Sequence, residues 1–228
     1  MPEPTFLQDQ ADAPQDEFGE NGVVPIVNRD GDFKAAQRLA PKLNLAKGFQ
    51  LSEGGINPYR TIILGAAGGW PATTSPCSLP TKVEFPSNDG NFVFMDFDST
   101  ADEIAQWTLF MPRNYDGSAL KAKFLWTANS ASTNSVVWTI QGAAFGDGTS
   151  IDTAWGTLKQ VTDANHSAAY KLNISEFTPE FVLGGTPAGG HLTQIRVYRD
   201  PTNGADTLAV DARLIAVSIL YRIGKYGD

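Results

Sequence analysis

From about Thr61 onward, apolar residues recur at every second position, and this period of two dictates most of what the chain can fold into. Leu120, Ala122, Phe124 and Trp126 share one face of an extended segment, and Lys121 and Lys123 share the other. Successive side chains of a strand point to opposite sides of a sheet, so such a segment buries one side and wets the other. The alternation recurs in Val136–Gln141, in Tyr170, Leu172 and Ile174 against Lys171, Asn173 and Ser175, and in Ile195 and Val197 against Gln194, Arg196 and Tyr198. Phe92–Phe97 and Gln106–Met111 are more strongly apolar, the second ending at Pro112. Arg213–Arg222 is apolar on both faces, which predicts a strand in the middle of a sheet.

Turn-forming clusters separate these runs: Ser87–Asn91, Arg113–Gly117, Gly146–Gly148, Gly184–Pro187 and Asp200–Gly204. Strands spaced by roughly 10–20 residues, with no amphipathic helices between them, predict a sandwich or barrel rather than a βαβ fold. Two longer connections, near residues 66–91 and 142–168, favour crossovers over a simple meander. The expected fold is all-β: an antiparallel β-sandwich of jelly-roll type over residues 59–228, preceded by an extended N-terminal arm.

The arm is a separate compositional zone. Residues 1–22 hold Glu3, Asp9, Asp12, Asp16, Glu17 and Glu20, and no basic residue precedes Arg29. So little apolar surface does not offset the entropy of ordering, so a flexible acidic arm is expected. Phe6, Leu7 and Phe18 are its candidate anchors against a partner. Residues 23–58 read as a connector. Val23–Val27 suits a short strand, Asn28–Asp32 a turn, and Phe33–Lys47 has helical character that Pro41 interrupts.

Composition narrows the function. The net charge of −8 and the absence of a Lys/Arg cluster argue against nucleic-acid binding. Cys77 is the single cysteine, so no intrachain disulfide framework exists, and a buried or half-buried thiol is expected. The start of the sequence lacks the basic and apolar stretches of a secretory signal, and no apolar run approaches the ~20 residues that cross a bilayer. Synthesis in a cytoplasm, without a membrane partner, is the expectation.

Recognisable chemistry is sparse. His166 lies in a polar loop and His191 at a strand start, neither in a nucleophile motif, and two histidines with one cysteine make a poor zinc set. Asp96 and Asp98 share a strand face ahead of Asp102-Glu103, a placement some β-sandwich glycosidases use, yet no second acidic strand faces them. Asn28, Asp30 and Asp32, and again Asp200, Asn203 and Asp206, have oxygen-ligand character that ordinary turn chemistry also explains. No catalytic residue, metal or cofactor is assigned. Among the tryptophans, Trp107, Trp126 and Trp138 sit in strands and read as core, whereas Trp70 and Trp155 sit in loops. A loop tryptophan stacks on a sugar, covers the end of a sandwich or fills a subunit contact.

The stretch from Tyr59 to Tyr221 also resembles a group of largely uncharacterised virion proteins of tailed phages and prophages. The resemblance is carried by Leu109–Gly117, Phe124–Trp126, Val136–Trp138, Val197–Asp200 and Asp206–Val217. It implies a jelly-roll domain, a capsid decoration or head-fibre role, a homotrimer, and the major capsid protein or other virion proteins as partners. It places the protein on the virion after synthesis in the host cytoplasm. It brings no catalytic residues. The alternatives are a glycan-binding module for host attachment, with Trp70 and Trp155 as contacts to a surface glycan, and, further off, a glycosidase.

Overall fold

The structure is a computed structural model that describes residues 58–224. The arm 1–22 with Phe6, Leu7 and Phe18, the strand, turn and helix expected within 23–57, and the Asn28–Asp32 cluster lie outside the described residues.

Twelve strands and one short 3-10 turn, Ala66–Gly68, make up the described fold. The strands are β1 (Tyr59–Gly65), β2 (Trp70–Pro71), β3 (Thr81–Phe85), β4 (Gly90–Phe97), β5 (Glu103–Phe110), β6 (Lys121–Thr127), β7 (Ser135–Phe145), β8 (Lys159–Ala164), β9 (Asn173–Ile174), β10 (Gly184–Gly185), β11 (Leu192–Arg199) and β12 (Ala212–Arg222). They form two six-stranded sheets.

In the first sheet the order is β3-β4-β12-β6-β9, with β1 also on β12. As its apolar character on both faces predicts, β12 is central. One edge pairs with β6. The other is shared, β4 taking Ala212–Leu214 and β1 taking Ala216–Arg222, around a bulge between Leu214 and Ala216. The second sheet has the order β10-β7-β11-β5-β2, with β8 also on β7. All ladders are antiparallel except the two-residue β10–β7 contact. The consecutive strands β4, β5, β6 and β7 alternate between the sheets, and the chain crosses again from β11 to β12. That is the expected antiparallel sandwich of jelly-roll type.

Alternation fills the space between the sheets. Leu120, Ala122, Phe124 and Trp126 are all fully buried, and Trp107 and Trp138 join them. Trp138, from the second sheet, meets three aromatic rings of the first. It stacks on Phe124 at 5.3 Å and meets Phe97 and Trp126 edge-on at 5.2 and 6.1 Å. Fully burying a large apolar side chain stabilises by roughly 1.5–3 kcal/mol, and offset or edge-on aromatic pairs add to that.

The long connections hold β3 and β8, Gly184-Gly185 forms β10, and two further readings change. The alternation at Tyr170–Ser175 yields only the two-residue β9. Tyr170 has a φ of 59°, outside any strand, and its ring packs on Phe85 at 5.2 Å. Here side-chain hydrogen bonds replace a ladder: Asn173 Oδ1 accepts from the His166 amide, and Asn173 Nδ2 donates to Asn165 Oδ1. Local polar side chains offer the backbone such an alternative. The second change is Trp70, expected in a loop. It forms the short edge strand β2, paired with Gln106 of β5.

Candidate functional site

The outward side of the second sheet carries one row of residues in register across four strands. Trp70 of β2 pairs with Gln106 of β5, Gln106 with Arg196 of β11, and Arg196 with Gln141 of β7. Their strand neighbours Ala105, Trp107, Ile195, Val197 and Ile140 point into the core, which turns this row outward. Gln194 lies two residues before Arg196 and donates to Gln106 Oε1 at 2.9 Å.

The 65–71 segment is set by the core beneath it. Trp107 donates its indole N–H to the Gly65 carbonyl at 2.9 Å. Gly69 then passes directly over that indole, where a Cβ would lie 2.5 Å from a ring carbon. Only glycine lets the backbone come this close, and the approach delivers Trp70 to the sheet edge with 40% of its surface exposed.

Trp155 arrives from the connection between β7 and β8. The next residue, Gly156, donates its N–H to the Gly142 carbonyl of β7. A Cβ on Gly156 would sit 1.9 Å from the Val182 carbonyl oxygen, so this segment too is held by a close backbone approach. The Trp155 ring lies under the Arg196 guanidinium at 4.7 Å. The two tryptophans expected in loops, 85 residues apart in sequence numbering, therefore both belong to the surroundings of Arg196.

Between Trp70 and Arg196 is an open cavity of about 330 Å³, with Thr73, Thr74, Ile104 and Gln106 among its walls. Arg196 differs from several of the other cations in the strands. Lys121, Lys123, Arg199, Arg213 and Arg222 each have a carboxylate partner. Arg196 has no ion pair or hydrogen bond with a described residue, and its Nε is buried without a partner. The sequence marked Arg196 only as part of a polar strand face. Its position acquires meaning only when register sets Trp70, Gln106 and Arg196 on one row.

The other candidates are committed elsewhere. Asp96 receives Nε and Nη2 of Arg213 at 2.9 and 3.1 Å. Asp98 accepts from the amide and hydroxyl of Thr100, which hold its carboxyl below the usual range. Glu103 accepts the Asp98 amide, while burial raises its carboxyl above the usual range. Asp206 is paired with Arg199, Asp200 accepts from Gln160 and Thr202, and Asn203 caps the Ala205 amide. Among the described residues no group of three or more His, Cys, Asp or Glu side chains is arranged to hold a metal. His166 is exposed, and His191 Nδ1 lies 2.6 Å from the Thr186 carbonyl oxygen. Cys77 is buried, as expected, and burial with Glu103 nearby pushes its thiol up to about 12. No described helix is long and apolar enough to cross a membrane.

No family model matches the chain, and no curated protein does. Solved structures give remote likenesses. A CBM35 module from Cellvibrio japonicus Abf62 aligns at 10% identity and a TM-score of 0.39, over 74% of this chain and 100% of that one. A mannan-recognising carbohydrate-binding module, TmCBM27, aligns at 11% and 0.38, over 73% and 99%. A protein of unknown function from Shewanella oneidensis MR-1, SO2946, aligns at 11% and 0.30, over 90% and 99%. At TM-scores of 0.39 and below, these likenesses transfer neither ligand nor site to this chain.

Proposed function

We propose that the described domain is a non-catalytic glycan-binding β-sandwich whose ligand lies on the outward side of the second sheet, beside Trp70, Arg196 and Trp155. One observation carries this reading: an exposed tryptophan, the side-chain amide of Gln106, two threonines and an unpaired guanidinium line one cavity of sugar-ring size. An indole offers a sugar ring an apolar platform, and amides, hydroxyls and a guanidinium offer donors and acceptors to its hydroxyls. A non-catalytic role is supported by Asp96 and Asp98, whose carboxylates already serve Arg213 and the Thr100 turn.

The place on a tailed-phage particle rests on the sequence resemblance alone. There the module would serve host attachment. A shell-clamping decoration protein and a homotrimer rest on the same resemblance, and in a trimer Trp70 would be a subunit contact instead.

A glycan array followed by titration calorimetry on the full chain tests the proposal. Binding of at least one oligosaccharide is expected, with Trp70→Ala lowering affinity about tenfold, the scale of one lost aromatic platform. Absence of binding across a broad array, together with light scattering in which Trp70→Ala dissociates an oligomer, would place Trp70 in a subunit contact and refute the glycan reading.

A further inference from the structure

We infer that the Arg196 site selects sugars bearing a carboxylate, a uronic or sialic acid rather than a neutral hexose; this deepens the proposed glycan-binding role and rests on it. The inference starts from what the guanidinium lacks. A guanidinium offers five N–H donors in a planar fork and keeps its charge at every pH a protein meets. Arg199 shows how this chain treats such a group when its task is structural: every nitrogen has an acceptor, two of them on Asp206. Arg213 likewise holds Asp96 through two nitrogens. Among the described residues Arg196 meets no carboxylate and no carbonyl, and its Nε is buried without a partner. A guanidinium that no carboxylate or carbonyl engages keeps its outer N–H donors for a ligand.

The surroundings fix the direction from which that group comes. The Trp155 ring lies 4.7 Å from the guanidinium carbon and supports the group from one side. Arg196 is also a wall of the cavity beside Trp70. A planar two-oxygen acceptor matches the planar fork with two parallel bonds, which favours a carboxylate over a single hydroxyl. The sugar ring bearing it would lie toward Trp70, within reach of Gln106, Thr73 and Thr74. The chain's net charge of −8 opposes anions at long range, so selectivity depends on this contact and not on a basic surface.

Titration calorimetry on the full chain decides the matter with two matched pairs: a galacturonate oligomer against its carboxyl-reduced form, and sialyllactose against lactose. The acidic member of at least one pair is expected to bind about tenfold or more tightly than the neutral one, the scale of a charge-assisted hydrogen-bonded pair. That advantage should shrink between roughly 50 and 500 mM salt, as screening requires. Arg196→Gln should abolish the advantage, bringing the affinity for the acidic member down to that for the neutral one. Arg196→Lys should retain part of it, having the charge without the fork, and it keeps the test valid if a melting curve shows Arg196→Gln to be misfolded. Equal affinity for acidic and neutral members, unaltered by Arg196→Gln, overturns the acidic-sugar inference and leaves glycan binding standing. Binding of neither member, with an empty array, removes both.

Discussion

Asp206 receives two nitrogens of Arg199, Nε at 3.0 Å and Nη2 at 2.7 Å, with both side chains sealed from solvent. Asp206 Oδ2 also accepts the Val137 amide at 3.0 Å. The remaining Arg199 donors reach the carbonyls of Phe97, Leu208 and Val210. Arg199 thus ties β4 to the loop leading to β12, and Asp206 extends the tie to β7.

Removing one partner of this pair leaves the other charge buried and uncompensated. Asp206→Ala and Arg199→Ala are each expected to cost about 3–5 kcal/mol. Replacing both by leucine should cost less than the sum of the two single changes. Urea unfolding followed by fluorescence measures all three, and strict additivity would argue that the two residues act independently.

Gly69→Ala places a methyl group against the Trp107 indole, which is buried and anchored through its N–H to Gly65. Overpacking of this kind costs about 1–3 kcal/mol. The same change should displace Trp70, so glycan affinity should fall even at temperatures where the variant is folded. A crystal structure or a shift in the Trp70 fluorescence signal checks the displacement.

Burial raises the carboxyls of Asp102, Glu103, Asp163 and Asp211 above their usual range, while the Thr100 contacts lower Asp98. A raised carboxyl takes up its proton in the folded state before the unfolded one, so its stability contribution is full below the unfolded value and is lost as pH rises through the folded value. The lowered Asp98 acts oppositely, losing its contribution as pH falls through its folded value. With four groups raised and one lowered, thermal stability of the described domain should rise as pH falls from neutral toward the folded values of the raised carboxyls. Glu103→Gln should flatten that slope, and calorimetry across the range measures it. A melting temperature that falls steadily over the same interval would contradict the assignment.

The Cys77 thiol, pushed up to about 12 in a buried setting, is nearly all protonated at neutral pH. The thiolate is the reactive form. A thiol-specific reagent at about pH 8 should leave native Cys77 unlabelled and label it at the rate of unfolding once denaturant is added. Rapid labelling of the native protein would show an opening near Cys77 that the closed fold does not contain.

Much of the fold could be read from alternation alone. Leu120–Trp126 is wholly buried on one side and faces ion-paired lysines on the other, because period-two patterning encodes a half-wetted strand directly. The central position of β12 followed from its two apolar faces. Tyr170–Ser175 misled because asparagine hydrogen bonds, invisible to a hydrophobic pattern, leave only Asn173–Ile174 in a ladder. The candidate site was legible in part: Trp70 and Trp155 stood out, but Arg196 did not. Its significance depends on the pairing of β2 with β5 and of β5 with β11, and register between distant strands is not written in any local stretch of sequence.

The place of β12 in the first sheet carries a consequence for biosynthesis. β1, β4 and β6 are translated before the strand that all three border. Until Ala212–Arg222 leaves the ribosome, they expose unpaired backbone and the apolar surface that the finished sheet hides. A nascent chain stalled before that point should depend on chaperone protection and be prone to pairing with its neighbours on a polysome. Folding of this sandwich therefore completes only once β12 is available, however early the individual hairpins form.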